Sequence, residues 1–546
     1  MLVPKLWTTL RTYDRQQFIA DTSAGIIVGI VALPLAIAFA IASGVTPDRG
    51  LTTAIIAGFL ISALGGSRVQ IGGPTGAFVV IVYSIVQKHG VDGLIIATMM
   101  AGLILVVLGV VGFGGAIKFI PHPVVIGFTS GIALIIVSSQ IKDLLGLQMG
   151  EVPADFLEKW TAYARAFNTI NPQAVALAIL ALAIIVLWPR VSRTVPGPFV
   201  ALIATTLLVQ LLGLDVETIG DRFGVVSATL SAPSLPQISW ARMQSLVVPA
   251  FTIALLGGIE SLLSAVVADG MIGGKHRSNM ELVGQGIANI VTPFFGGIPA
   301  TGAIARTATN VRNGGRTPVA GIVHSITLLL IALFFGRLAG YIPFATLGAI
   351  LVVVSYHMSE WRTFRGEFRA PRSDLAVLLV TFVLTVVVDL TVAIQVGMVL
   401  AAFLFMKRMS EVTNVTAITR EYRGDHAERE DEMVDFDAIP PGVEVYEIDG
   451  PFFFGAAETF KGQVGSMSAK PRVLIIRLRH VSVIDSTGLH ALSDVVRRSR
   501  RDGVRVILSG LHAQPLVALG RSTLLDELGE ENVLGTLAEA LEAAKE

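Results

Sequence analysis

The sequence predicts an α-helical polytopic membrane protein of fourteen membrane segments followed by a small α/β domain. Three observations carry this. The 546 residues are 53% hydrophobic and 15% charged, with a mean hydropathy of +0.70, a composition foreign to soluble globules. Apolar runs suited to a hydrocarbon core of about 30 Å recur from about residue 24 to residue 408 and then stop. The charge balance reverses at the same place: residues 1–408 carry 26 Lys+Arg against 18 Asp+Glu, and residues 409–546 carry 15 against 23.

In order, the spans read as 24–43, 51–66, 74–87, 93–113, 120–141, 173–188, 196–214, 245–269, 281–296, 300–312, 317–336, 341–357, 374–389 and 391–408. An even number places both termini on one side. Alternate loops on that side carry 17 Lys+Arg against 8 on the other, with Arg306 set aside as intramembrane, so the termini are expected in the cytoplasm. The first residues lack the basic, apolar and small-residue order of a signal peptide, which leaves insertion to the first span. These features set the expected divisions: a cytoplasmic segment 1–20, a transport domain 21–408, a linker 409–439 and an α/β domain 440–546. The linker is polar, acidic and poorly periodic, as a tether or a first edge strand would be. After it come strand patterns "VEVYEIDG" and "RVLIIRLR", the turn "IDSTG", an amphipathic helix "LHALSDVVRRSRRDG" and a strand "VRVILSG".

Two spans are irregular in the same way. "GGPTGAFVVIVYSIV" (72–86) and "GGIPATGAIARTATNV" (296–311) each open with paired glycines and a proline and continue as a short, small-residue helix. Pro74 and Pro299 lie 225 residues apart, and Pro34 in the first span lies 226 from Glu260 in the eighth. A constant offset across seven spans implies two repeats of opposite topology.

Helices that begin inside a bilayer direct unpaired N–H groups and positive dipole ends at whatever lies between them, which suits an anion. Proline costs nothing in a first helical turn, and Gly73, Gly76 and Gly302 let backbone approach a ligand closely. Arg306 adds a full charge that either binds the anion or pairs with an acid. Glu260 lies in an otherwise apolar span, where its protonation would follow occupancy of the site; Ser264, one turn on, offers a second oxygen for a sodium ion instead. Phe39, Thr75, Ala77, Phe78, Thr301, Ala303, Ala305 and Thr307 fall in the same segments as candidate lining. Asp269 reads as a structural or gate contact near the cytoplasmic end, and His122, His324 and His357 as satisfied core or interface residues without metal-ligand spacing. "GGPTG" lacks the Lys-Ser/Thr that a phosphate loop needs, which argues against nucleotide hydrolysis. With no cysteine the chain has neither disulfide nor thiolate metal site.

At these residues the chain resembles the sulfate permease (SulP) family of anion transporters. The resemblance is carried by "VALPLAIAFAIASGVTPDRGL", by "GGPTGAF", and by the stretch from "ESLLSAVVADG" through "GGIPATGAIARTATNVRNGGRTPVAG"; "VIDSTGLHAL" resembles a STAS domain, the family's cytoplasmic module. It implies a seven-plus-seven inverted repeat, with a core (segments 1–4 and 8–11) moving against a gate (5–7 and 12–14) in elevator fashion, a homodimer, and no enzymatic activity. It also implies a substrate between the third and tenth half-helices near Phe39 and Arg306, and cation coupling at Glu260. The wording of "GFTSGIALIIVSSQIKDLLGLQM" is most similar to the C4-dicarboxylate members of the family, with sulfate and bicarbonate as further candidates. A glutamate rather than an aspartate at position 260 favours protons over sodium. No cofactor and no nucleic-acid partner is implied. A cytoplasmic regulator acting through the STAS domain is expected, with Ser486 and Thr487 as a possible phosphosite after Asp485, which itself reads as a helix cap. The membrane expected is the cytoplasmic (inner) one.

Overall fold

The computed structural model describes residues 2–115, 120–150, 152–153, 155–192, 195–224, 232–234, 236, 239–417, 439–465 and 470–546. Most of the acidic stretch read as a linker therefore lies outside the described residues. The chain divides into two compact units, Met1–Val399 and Leu400–Glu546.

In the first unit, α1 (Arg15–Ala42) starts where the Asp14 side chain accepts the N–H of Gln17, and it carries Pro34 internally. It is followed by α2 (Pro47–Leu64), and then by α3 (Gly76–Val111), which is broken at Gly90 (φ 69°, ψ −178°) into two limbs, the third and fourth segments of the sequence reading. Next come α4 (His122–Ser139), a short amphipathic α5 (Phe156–Ala166) that hydropathy missed, α6 (Pro172–Leu187), α7 (Gly197–Leu212) and α8 (Trp240–Ile272). The unit continues with α9 (Ser278–Val291), α10 (Ile304–Arg312), α11 (Pro318–Phe335), α12 (Phe344–Met358) and α13 (Arg372–Val387), and the boundary at Val399 falls within α14 (Leu390–Val412). Proline stands in the first turn of α2, α6 and α11, where its missing N–H is no loss.

Among the described residues, seven helical stretches are long and apolar enough to cross a membrane unaided; α10, with nine residues, is not one of them. Short helices and extended backbone at this depth persist only inside protein or beside water. The outer surface is apolar, with Val111, Leu211, Phe334 and Phe335 exposed. Helices pack in two sets, α1–α3 with α8–α11, and α4, α6 and α7 with α12 and α13. Small residues permit the close crossings: a Cβ on Gly102 of α3 would stand 2.6 Å from the carbonyl oxygen of Gly286 on α9, and a Cβ on Gly286 would stand 2.6 Å from that of Gly102.

The second unit holds a five-stranded sheet in the order β3 (Asn414–Ala417), β4 (Val443–Asp449), β5 (Val473–His480), β6 (Arg505–Ser509), β7 (Val533–Leu534). Only β3 is antiparallel to its neighbour. Strand periodicity sends Leu474, Ile476 and Leu478 to one face, against α15 (Phe454–Gly465) and α16 (Ser486–Arg501), while Val473 and Ile475 meet Leu537 and Leu541 on the other. Phe452 and Phe460 pack edge to face on the first side, ring centroids 5.6 Å apart.

Candidate functional site

The irregular stretches of the two repeats meet. β1 (Gly72–Gly73) pairs antiparallel with β2 (Thr301–Gly302), Gly72 opposite Gly302 and Gly73 opposite Thr301. The first limb of α3 starts at Gly76 and α10 at Ile304, each two or three residues beyond this ribbon. No side chain caps either helix: Thr75 and Ala303 occupy the capping positions with extended backbone and no capping hydrogen bond. Apart from the Phe78 N–H, which turns back to the Thr75 carbonyl at 3.3 Å, the first-turn N–H groups of the two helices are left to a ligand or water.

Arg306 is 2% exposed. Its Nη2 donates to the carbonyl of Pro74, in the opposite repeat, and its Nη1 has no partner. Gly73 makes room for it: with φ +146° and a would-be Cβ 2.7 Å from Nη1, an L side chain there would be strained and would push the guanidinium aside. Glu260, on α8, is held from the other repeat too, its Oε2 accepting from Thr75 Oγ1 at 3.0 Å. Among the described residues Arg306 and Glu260 form no direct ion pair, and each is tied to the link between ribbon and helix in the first repeat.

Phe39 is buried beside Gly76; a Cβ on Gly76 would lie 3.3 Å from its Cε1, 3.3 Å from Met358 Sδ and 3.6 Å from Ile136 Cδ1. The start of the third segment thus faces α1 on one side and α12 and α4 on the other. Ala77 is buried, and the Phe78 ring packs on Gly257 of α8 while its N–H donates to the Thr75 carbonyl at 3.3 Å. Ala303 is buried and Ala305 exposed. Gly302 lies over Gln70, whose Nε2 donates to Ser261 and whose Oε1 is buried without a partner. Thr301 donates to the carbonyl of Gly257 at 2.7 Å.

Ser264 does not join Glu260. Its Oγ bonds Thr307 Oγ1 at 3.3 Å, and Thr307 in turn accepts the N–H of Ile71 at 3.0 Å, so this pair fastens α8 and α10 to the ribbon. Asp269 accepts from the backbone N–H of His276 and bonds its Nδ1, both at 2.7 Å, a structural contact. His324 departs from the reading of a satisfied histidine: it is fully buried and neither ring nitrogen has a hydrogen-bond partner among the described residues. Sequence reasoning also passed over Glu281, read merely as part of an apolar segment. It is fully buried and accepts from Gly66 N, Ser67 N, Ser261 Oγ and Gln285 Nε2, which locks the approach to β1. A glutamate amid "NMELVGQG" was its only signal.

In the second unit Asp485 caps α16 by accepting the N–H of Gly488 at 2.8 Å, and Ser486 and Thr487 are exposed in its first turn. In this unit the Lys461 ammonium hydrogen-bonded to Asp494 holds that carboxyl below its usual value.

The ribbon, the two uncapped helix starts and the buried arginine fall within residues 18–381, the stretch that matches the model of the "Sulfate permease family". The chain belongs to the sulfate permease family. Residues 438–540 match the STAS domain. Across the family, the chain is 41% identical to "Putative sulfate transporter YvdB" of Bacillus subtilis over 95% of its length and 96% of the relative's. It is 30% identical to the bicarbonate transporter BicA of Synechocystis, over 96% and 94%. Among solved structures, the transmembrane domain of a cyanobacterial BicA superposes with a TM-score of 0.64 at 28% identity, covering 74% of this chain and all of that one. Murine Solute Carrier 26 family member A9 shares the fold, with a TM-score of 0.87 at 18% identity over 100% of this chain and 94% of that one. This family fold is the helical membrane architecture with a C-terminal STAS domain that the sequence predicts.

Proposed function

We propose that this sulfate permease family member is a secondary-active transporter, not an enzyme, that carries a small anion between the start of the third segment and the start of α10. The observation that carries this reading is the unpaired, buried Nη1 of Arg306 beside two uncapped helix ends. A buried guanidinium with no partner for one of its nitrogens carries a desolvation cost, and a bound anion relieves it. Sulfate and bicarbonate have the support of the relatives' names; a C4-dicarboxylate such as succinate or fumarate rests on the wording of the sequence alone.

Glu260 supplies the coupling. An ionised carboxylate close to the anion repels it, and a proton on that carboxylate removes the repulsion, so proton and anion favour each other's binding, and the favour is reciprocal. Sodium is the weaker candidate, because the second oxygen it would need from Ser264 is engaged with Thr307. A channel or uncoupled exchanger has no use for the acid. Passage follows from rocking the set α1–α3 and α8–α11 against α4, α6, α7 and α12–α14 in elevator fashion; the contacts of Gly76 with Met358 and Ile136 sit on that seam. The protein works as a homodimer in the cytoplasmic membrane with both termini in the cytoplasm, and the STAS domain receives regulators there.

The test is uptake of labelled sulfate, bicarbonate and succinate into proteoliposomes with proton and sodium gradients imposed separately. Accumulation of one of these anions under an inward proton gradient is expected. Accumulation under sodium alone would replace the coupling ion, and no uptake of any of them under either gradient would overturn the reading.

A further inference from the structure

A cavity of about 530 Å³ lies within the first unit at the end of the bundle where α1, the first limb of α3 and α4 finish, lined there by Ala42, Lys88 and Ser139. Its inner wall includes Val79, Val80 and Ile136, and Ile136 is the side chain that faces Gly76 at the start of the third segment. The cavity therefore ends one side chain from the candidate anion site. With the termini in the cytoplasm, it faces the outside.

Its charges are unequally committed. Asp143 accepts from Arg222 at 2.9 Å, and Arg222 also pairs with Glu217 and lies over the Phe344 ring, 3.5 Å from its centroid. Asp155 caps α5 through the N–H groups of Leu157 and Glu158, and Asp389 accepts from Thr391 N at 2.7 Å. Lys142 donates to the carbonyl of Gly150 at 3.0 Å. Lys159 differs: it lines the cavity from α5, is 4% exposed, and has no hydrogen-bond or ion-pair partner among the described residues. An ammonium that opens on a cavity with no protein acceptor is left to water, or to an anion that takes the water's place.

We infer that this cavity is an outer vestibule that collects the carried anion before it reaches the central site, and that Lys159 is its binding cation. The inference rests on the transport reading above. A cation in a narrow cleft with low-dielectric walls raises the local anion concentration and the rate of encounter. Burial also lowers the Lys159 ammonium to about 8, with Asp155 opposing the shift. The vestibule should thus lose this charge as pH rises through about 8, in surroundings that also include Tyr83 and Lys88 on α3, Asp143, Tyr163 on α5, Arg222 and Asp389.

The experiment compares full-length wild type, Lys159→Gln and Lys159→Arg in proteoliposomes of sorted orientation. Initial uptake of labelled sulfate, bicarbonate or succinate is measured from each side. Lys159→Gln should raise KM about tenfold from the vestibule side only, with kcat kept; Lys159→Arg should restore it, and wild-type KM from that side should rise above pH 8. An unchanged KM in the glutamine variant, or a loss equal on both sides, overturns the inference. A second readout needs no transport: acetylation of Lys159 in purified wild type, with the exposed Lys88 of the same cavity as internal reference, while sodium sulfate is titrated. Selective protection of Lys159 is expected, and parallel protection of both lysines contradicts the proposal. If wild type carries none of the three anions, the transport reading fails while the labelling still decides whether the cavity binds an anion.

Discussion

The two interrupted segments are built on the same backbone plan and differ in what they contribute. Each has a two-residue strand, an uncapped turn and a helix starting at depth, yet the first repeat supplies a carbonyl acceptor, a hydroxyl donor and room, and the second supplies the charges. Arg306 of α10 reaches across to the Pro74 carbonyl past Gly73, and Glu260 of α8 reaches across to the Thr75 hydroxyl. Neither charged group is held by its own repeat. The two repeats thus form a cradle of matching backbone, on which the second repeat alone places a guanidinium and a carboxyl group.

This division of labour can be broken one arm at a time. The largest effect is expected from Glu260→Gln, which keeps the shape and a hydrogen bond to Thr75 but removes the titrating acid. Accumulation driven by a proton gradient should fall by at least about tenfold while anion exchange persists, as expected when an interaction specific to one state is lost. Unaltered pH dependence of uptake would remove Glu260 from the coupling scheme. Gly73→Ala should come next. A Cβ there meets Nη1 at 2.7 Å on backbone that L residues avoid, so a cost of about 1–3 kcal/mol is expected, seen as a lower Tm together with weaker anion binding. A wild-type Tm and affinity would mean that Arg306 has another resting place.

Thr75→Val sharpens the comparison from the other arm. It removes the hydroxyl that holds Glu260 without removing either charge, so the loss should be about 1 kcal/mol, read as a several-fold rise in KM under a proton gradient that Thr75→Ser reverses. The smallest effect is expected in the second unit: Asp485→Ala deletes the cap of α16 and should cost about 1 kcal/mol of stability, visible in the melting curve, with KM untouched.

The paired glycine-proline openings made the cradle legible, because glycine, proline and dipole chemistry act locally and leave a mark in the string of residues. Arg306 and Glu260 were legible for a related reason, since charges in apolar spans stand out. Which partner each one takes was not. Helical phase puts Ser264 one turn from Glu260 on α8, but the neighbouring α10 presents Thr307 to Ser264, and the ribbon presents Thr75 to Glu260. Such choices depend on how two repeats 225 residues apart interlock, and no local pattern records them. Glu281 was hidden for the opposite reason, as its four donors are backbone and small polar groups that could belong to any loop. The long α3 shows the local rule working again, because Gly90 broke the helix where the sequence separates two spans.

The most direct measurement is equilibrium binding of labelled sulfate and bicarbonate to the purified full-length protein, wild type against Arg306→Ala and Arg306→Lys. The account predicts saturable binding to wild type, a loss of about tenfold or more in the alanine variant, and an intermediate value in lysine, which keeps the charge but not the planar fork that spans Pro74 and the anion. Equal affinity in all three proteins would contradict it, and would move the anion away from the meeting point of the two repeats.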